Sequence, residues 1–512
     1  MTGTSRYRDP WRPRSAFRFG RCLLPLFCIL ITAGCWTGGP DILKIRSLGQ
    51  SGAGRDAGAL SGNIAGLERS SIGTNGKIDA NVLVVHGMGW SQEPGQALEF
   101  GFDIVKAIES AYGVTGAPGR LTPLCPQWQK GKMTSAGRLQ GGVRIRGEFP
   151  SLTTDAPHTR VNGEVLACLD RIAIDLGPKG RVNVYRLFWD DPFYDSYEYP
   201  HIGYDDDIFY GPEAPGPNYP GYENLSALRA RWNDRLKIDL VNYGFGDAVM
   251  YIGPVGARMR EAVRGGICQV VNEITGQTHN FAELALRHAS NPNLTGLYFD
   301  APVPSQLCAM KRESVAAPLV VVTKSLGSRI VFDVLAKERN ADLSSKLDLI
   351  SNKELEVFMF ANQIPLLGIG RLQEGHVNPA ELKTKLKLVA VSEVNDVFTY
   401  ELVPYFEHLY HLRSDQINCS AGPTRAACFL DKLKQRVTDL RLHEETRSKY
   451  IAELGFDVID VRVQFAGRPV PFAPFVHPVV AHNEHMDTKP IRQIFICGAE
   501  AGIVRTSGCE GR

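Results

Sequence analysis

The sequence predicts an α/β domain built on a doubly wound, mostly parallel sheet. Three observations carry that prediction. Apolar, β-branched runs recur from residue 80 to residue 465, they are continuous rather than alternating, and helix-patterned stretches separate them. A continuous run of this length suits a strand buried on both faces, as in a parallel sheet covered by helices. Strands that alternate with helices give the doubly wound arrangement.

The elements follow in chain order. Arg6, Arg8, Arg12, Arg14, Arg18 and Arg21 form a basic start, and "CLLPLFCILITAGC" from Cys22 to Cys35 is a short apolar core. A positive start, a short apolar core and small residues before a cysteine make a secretory signal over residues 1–34. The run is too short to span a bilayer comfortably as a helix. Residues 35–77, with "GQSGAGRDAGALSGNIAG", have the Gly/Ser/Ala composition of a flexible tether. The folded domain is then expected over 78–512. Its strands are expected at "ANVLVVHGMGW" from Ala80, "RVNVYRLFWDDP" from Arg181, "APLVVVTKS" from Ala317, "LEVFMFANQIPLL" from Leu355, "LKLVAVSEVND" from Leu386 and "DVIDVRVQF" from Asp457. "RIVFDVLAKE" reads as a helix directly after the third of these. Leu225, Leu228, Trp232, Leu236 and Leu240 recur at three- and four-residue steps and predict another helix, which Gly244 would stop. The stretch of about 190–310 is too long for a simple crossover and opens on a loop dense in Tyr, Pro, Gly and Asp. It is expected as an insertion covering part of the site, with a surface insertion of no functional role as the alternative.

Charge and cysteines set the class. The net charge is +2, much of the excess sits at the N-terminus, and no basic stripe with interleaved aromatics follows, so nucleic acid is not an expected partner. Of eleven cysteines, eight lie beyond Cys35, an even number that suits disulfides in an exported chain. Cys419 with Cys428 and Cys497 with Cys509 are near enough for local pairs, although spacing alone does not fix connectivity.

The chemistry centres on "VVVTKSLGSRI". A strand that turns sharply into a helix holds a serine in strained backbone, the arrangement of a nucleophile elbow. Ser325 stands there with Gly327 two residues on, and Thr323 replaces the usual glycine two residues before. The alternative is a serine that merely follows a buried strand. "VVHGMG" places His86-Gly87 after an earlier strand, where a loop can supply an N–H to a developing oxyanion. Asp396 at the end of "SEVND" is the candidate acid, with Glu393 second. Asp396 could equally cap a turn. "FVHPVVAHNEHMD" offers His477, His482 and His485, of which His482 is best placed as base. A metal reading of His482, His485 and Asp487 matches no known zinc spacing. No metal and no cofactor is expected.

The order Ser325, Asp396, His482, together with "VVHGMG", "VVVTKSLGSR", "SEVND" and "VVAHNEH", resembles the α/β-hydrolase-fold serine esterases and lipases from residue 80 onward. The resemblance implies a Ser325–His482–Asp396 triad and an oxyanion hole from the backbone N–H groups of Leu326 and Met88. His86 would shape that loop. The implied reaction cleaves carboxylic esters, of acyl or lipid substrates, through an acyl-enzyme. The same serine serves acyl transfer to another acceptor, and a catalytically inactive envelope scaffold is the reading from a different class. Thr32-Ala33-Gly34-Cys35 resembles a bacterial lipobox, with Thr32 in place of the commoner Leu. It implies lipidation of Cys35 and anchoring to a bacterial membrane. Trp36, where some such lipoproteins carry Asp, implies delivery to the outer membrane.

Overall fold

A computed structural model describes residues 41–48, 63–71, 76–87, 96–114, 142–150, 160–189, 246–253, 255–291, 298–309, 318–337, 354–368, 385–406, 456–465, 478–500 and 503–504. In chain order the main elements are β1 (Asp41–Leu48), α1 (Gly66–Ser71), β2 (Ile78–Val85), α2 (Gln96–Tyr112), β3 (Gly142–Pro150), β4 (Arg160–Asp175), β5 (Gly180–Phe188), α3 (Gly246–Ile252), α4 (Gly256–Ile274), α5 (Asn280–Ser290), β6 (Tyr298–Ala301), α6 (Pro304–Ala309), β7 (Leu319–Lys324), α7 (Leu326–Phe332), β8 (Glu354–Phe360), α8 (Ile364–Gly368), β9 (Lys385–Glu393), β10 (Phe456–Gln464), α9 (Pro478–Asn483) and α10 (Lys489–Cys497). Ten strands form one sheet in the order β1-β10-β9-β8-β7-β2-β5-β4-β3-β6. From β10 across to β5 every pairing is parallel. β1 pairs antiparallel with β10, β4 pairs antiparallel with β5 and β3, and β6 runs parallel to β3.

The continuous apolar runs explain the two-sided core. Side chains alternate across a strand, so Val321, Val357, Met359 and Leu388 face a layer that includes α4 and α7. Val320, Val322, Phe358, Phe360, Val389 and Val391 face the opposite layer, with α1, α2 and α10. Burying one such side chain is worth about 1.5–3 kcal/mol. A strand apolar on both faces is therefore driven to the middle of the sheet, which is where the six predicted runs lie.

Two expectations change. The stretch read as a tether is not one throughout. Asp41–Leu48 is the outermost strand on the β10 side, Ile64 bridges to Ala499, and α1 packs Leu67 into the core. Gly66 and Ala65 donate backbone N–H groups to Glu356 of β8, each at 3.0 Å, which fixes the start of α1. The 190–310 stretch is likewise more than a cover. Met259, Val263 and Val270 of α4 share a core with the sheet, and β6 extends the sheet beside β3. The Cys268–Cys308 disulfide ties α4 to α6. Cys168 and Cys497 are disulfide-bonded as well. The helix expected around Trp232, the loop of 190–245, and Cys419, Cys428 and Cys509 lie outside the described residues. Among the described residues, no helix is long and apolar enough to cross a membrane.

Candidate active site

β7 ends at Lys324 and α7 begins at Leu326, leaving Ser325 alone at the corner. Its φ of 52° and ψ of −126° place a non-glycine residue in left-handed backbone. Such a conformation costs on the order of 1–3 kcal/mol and persists only where neighbours over-determine it. Here Ser325 N donates to Phe360 O at 2.9 Å, and Ser325 O accepts from Ser328 N at 3.0 Å. The corner also sits hard against the loop after β2. A Cβ on Gly327 would lie 2.3 Å from His86 O, and a Cβ on Gly87 would lie 2.5 Å from Ser325 Cβ. Neither approach is sterically open to any residue but glycine.

Thr323, the departure from the usual motif, is fully buried and satisfied. Its hydroxyl donates to Phe358 O at 3.2 Å and lies 2.8 Å from Ser328 Oγ, whose hydrogen it accepts. The space a glycine would leave is filled by a side chain that bonds the first turn of α7 to β8.

Three predicted residues meet. Ser325 Oγ donates to His482 Nε2 at 2.9 Å, and His482 Nδ1 donates to Asp396 Oδ2 at 2.8 Å. The tautomer follows from chemistry, because an ionised carboxylate only accepts. All three side chains are buried. β9 ends at Glu393, and a turn brings Asp396 to the rim. There its Oδ1 accepts from Phe398 N at 3.0 Å and its Oδ2 accepts from the Thr399 hydroxyl. The turn-capping alternative is therefore also true of this residue. Burial pushes the Asp396 carboxyl upward. The hydrogen bond and charge of His482, with those from Thr399 and Phe398, outweigh it and hold the pKa below the ordinary carboxylate value. The edge of Phe398 meets the His482 ring, with centroids 5.8 Å apart.

The other candidates fall elsewhere. Glu393 gives its carboxylate to Asn395 N, to Asn395 Nδ2 at 3.1 Å and to Phe465 N at 3.3 Å, so it braces the turn. His485 is buried between Phe360 and Phe465, and neither ring nitrogen has a hydrogen-bond partner. Burial pushes its pKa down to about 3. Asp487 is exposed, and both nitrogens of His482 are engaged, so His482, His485 and Asp487 do not converge as metal ligands. Among the described residues no group of three or more His, Cys, Asp or Glu could hold a metal. His86 shapes the loop after β2. Its Nδ1 donates to Gly87 O at 2.7 Å, and its ring stacks on Trp189 at 5.2 Å. Trp189 Nε1 donates to His86 O at 3.0 Å. Leu326 opens α7, so its N–H has no intrahelical partner. Met88, His477 and Cys35 lie outside the described residues.

Sequence reasoning missed three supports. Trp189 directly follows β5, the strand beside β2, at the level of Gly87, and the pairing Val85↔Leu187 sets that register. Thr399 lies three residues past Asp396. Lys324 reaches from the elbow to Asn483 O at 3.5 Å, next to His482, and lies 5.5 Å from the Phe100 ring centroid. Each is visible as a residue type. The partners of Trp189 and Lys324 are set by the fold rather than by local spacing, whereas Thr399 bonds a residue three positions away. The chain matches no protein-family model, no curated protein and no solved structure.

Proposed function

We propose that this protein is a membrane-anchored serine hydrolase that cleaves carboxylic esters through a Ser325–His482–Asp396 triad. One observation carries the reading: a strained, buried serine shares its hydrogen with an imidazole whose other nitrogen is held by a buried carboxylate. The strand order supports it. Ser325 follows β7, the neighbour of β2 with its His-Gly loop, and the acid and base follow β9 and β10 in the sequence Ser, Asp, His expected of α/β hydrolases. The Thr323 departure does not count against it, because that side chain is accommodated and bonded.

In the proposed reaction His482 Nε2 takes the proton of Ser325 as Oγ bonds to the ester carbonyl carbon. The backbone N–H groups of Leu326 and Met88 would receive the oxyanion. The carbonyl re-forms as the ester C–O bond breaks, and the alcohol leaves with the proton from His482. Water then adds its hydroxyl to the acyl carbon and gives its proton to His482, which returns it to Ser325 as the acid departs. Asp396 stabilises the imidazolium in both halves.

Ser325→Ala should lower turnover of short acyl-nitrophenyl esters by about 10³-fold or more. A fluorophosphonate probe should label the wild type and not the variant. Unchanged turnover, or wild-type protein that no concentration labels, would leave the inactive scaffold as the better reading.

A further inference from the structure

β1 runs antiparallel to β10, with Asp41 opposite Gln464 and Leu48 opposite Val458. The chain therefore joins the sheet at the edge where the parallel strands end, the same edge that carries Ser325, Asp396 and His482. Val463, next to Gln464, pairs with Glu393 of β9, three residues before Asp396. With strands about 4.8 Å apart, Asp41 lies about 10 Å across the sheet from the end of β9. Cys35 precedes Asp41 by six residues. A chain of that length reaches at most about 20 Å when fully extended. A tether running to residue 77 would let the site face anywhere. A connection this short does not.

A second observation concerns the same edge. Among the described residues five large hydrophobic side chains are exposed: Val249 on α3 with Ile252, Leu286 on α5, and, in the turn that follows Asp396, Val397 at 60% and Tyr400 at 44%. Phe398, between Val397 and Tyr400, is buried against His482. At the opposite edge, the turn before β5 exposes Gly177 and Pro178 and no large hydrophobic residue. Isolated exposed apolar residues are common. Val397 and Tyr400 stand where an anchor on Cys35 would hold them near lipid.

We infer that the Val397–Tyr400 surface rests on the phospholipid bilayer in which Cys35 is anchored, so that the ester reaching Ser325 is one embedded in that same bilayer. The inference rests on the triad and lipobox readings above, and it adds an orientation and a source of substrate that neither supplies.

The test uses the full lipidated chain reconstituted in vesicles of phosphatidylethanolamine and phosphatidylglycerol. Amide hydrogen exchange should slow about tenfold or more at residues 397–400 when vesicles are present, and stay unchanged at residues 177–181. The double variant Val397→Ser, Tyr400→Ser should lose about tenfold in turnover of a fluorogenic diacylglycerol ester carried in the vesicles, as expected when two apolar contacts with lipid are removed. Its turnover of a soluble nitrophenyl ester should be unchanged. Slowed exchange at residues 177–181 instead, at neither site, or at 397–400 without vesicles, as a second copy would give, overturns the inference. So does equal turnover of the vesicle ester by variant and wild type. If the wild type fails to hydrolyse the soluble ester, the hydrolase reading falls alone, and the exchange measurement still decides the orientation.

Discussion

Glu356 and Asp396 are buried carboxylates on or after neighbouring strands, β8 and β9, and they do different work. Glu356 spreads its two oxygens over the backbone N–H groups of Ala65 and Gly66, with the Ser70 hydroxyl at 3.4 Å. Asp396 takes an amide and a hydroxyl from its own turn and the Nδ1 hydrogen of His482. Burial does not tell the two apart. The partner does. An amide keeps its proton, so Glu356 fixes a segment. An imidazole passes protons on, so Asp396 fixes a tautomer and a charge. Asp460 follows the first pattern: it accepts from Leu402 N and Val403 N at 2.8 Å each.

The largest effect that would break this comparison is Asp396→Asn. Turnover of a soluble ester should fall by about 10⁴-fold, because the amide no longer selects the productive imidazole tautomer. The Asp396 carboxyl sits below its ordinary value, so its stabilising contribution is present above the unfolded value of 3.8 and is lost as pH falls through the lower folded one. The neutral variant should therefore show a shallower acid limb in unfolding. Glu356→Gln should do the reverse. It should cost about 1–3 kcal/mol in denaturant unfolding, since one amide of α1 loses its acceptor, and turnover should stay within about twofold. A Gln variant as inactive as the Asn variant would erase the distinction.

A smaller effect extends the comparison to imidazoles. His482 has both nitrogens engaged, and His485 has neither. Burial lowers the His485 pKa from 6.5 to about 3, with the Asp396 charge and the His482 backbone opposing that shift and the charges of Lys324 and His482 adding to it. Below pH 6.5 the unfolded chain binds a proton that the folded chain refuses. Stability then falls with pH by up to about 1.4 kcal/mol per unit until the folded value is reached. His485→Phe removes that linkage, so its denaturant midpoint should fall less on acidification than that of the wild type. Parallel pH profiles would show that His485 takes up its proton in the fold.

The legible part of this fold is its middle. Leu319–Val322 and Val82–Val85 read as strands because both faces are buried, and continuous apolar runs have no other economical place. β3, with Val143, Arg144, Ile145 and Arg146 alternating, and β1, at the outer side of β10, lack that signal. Glycine and serine content suggested a tether where Glu356, nearly three hundred positions away, supplies the caps that order α1. At the site, Ser325, Asp396 and His482 were legible because each follows a strand end in a fixed order. Trp189 and Lys324 were not, because their partners come from strand adjacency that no local spacing encodes.

The smallest effect concerns hydroxyls, at Thr323. If partner identity decides, Thr323→Ser should be nearly silent. The hydroxyl still bonds Phe358 O and Ser328 Oγ, and the loss of one buried methyl is worth about 0.8 kcal/mol. Thr323→Val keeps the shape and removes the oxygen, leaving the buried Ser328 hydroxyl without that acceptor at about 1–3 kcal/mol. Neither change touches Ser325 Oγ or His482, so soluble-ester turnover should stay within about twofold in both. Denaturant unfolding of the pair resolves the order directly. A Val variant as stable as the Ser variant would mean that Thr323 serves by volume alone, and that the usual glycine is replaced here to fill space rather than to bind the first turn of α7.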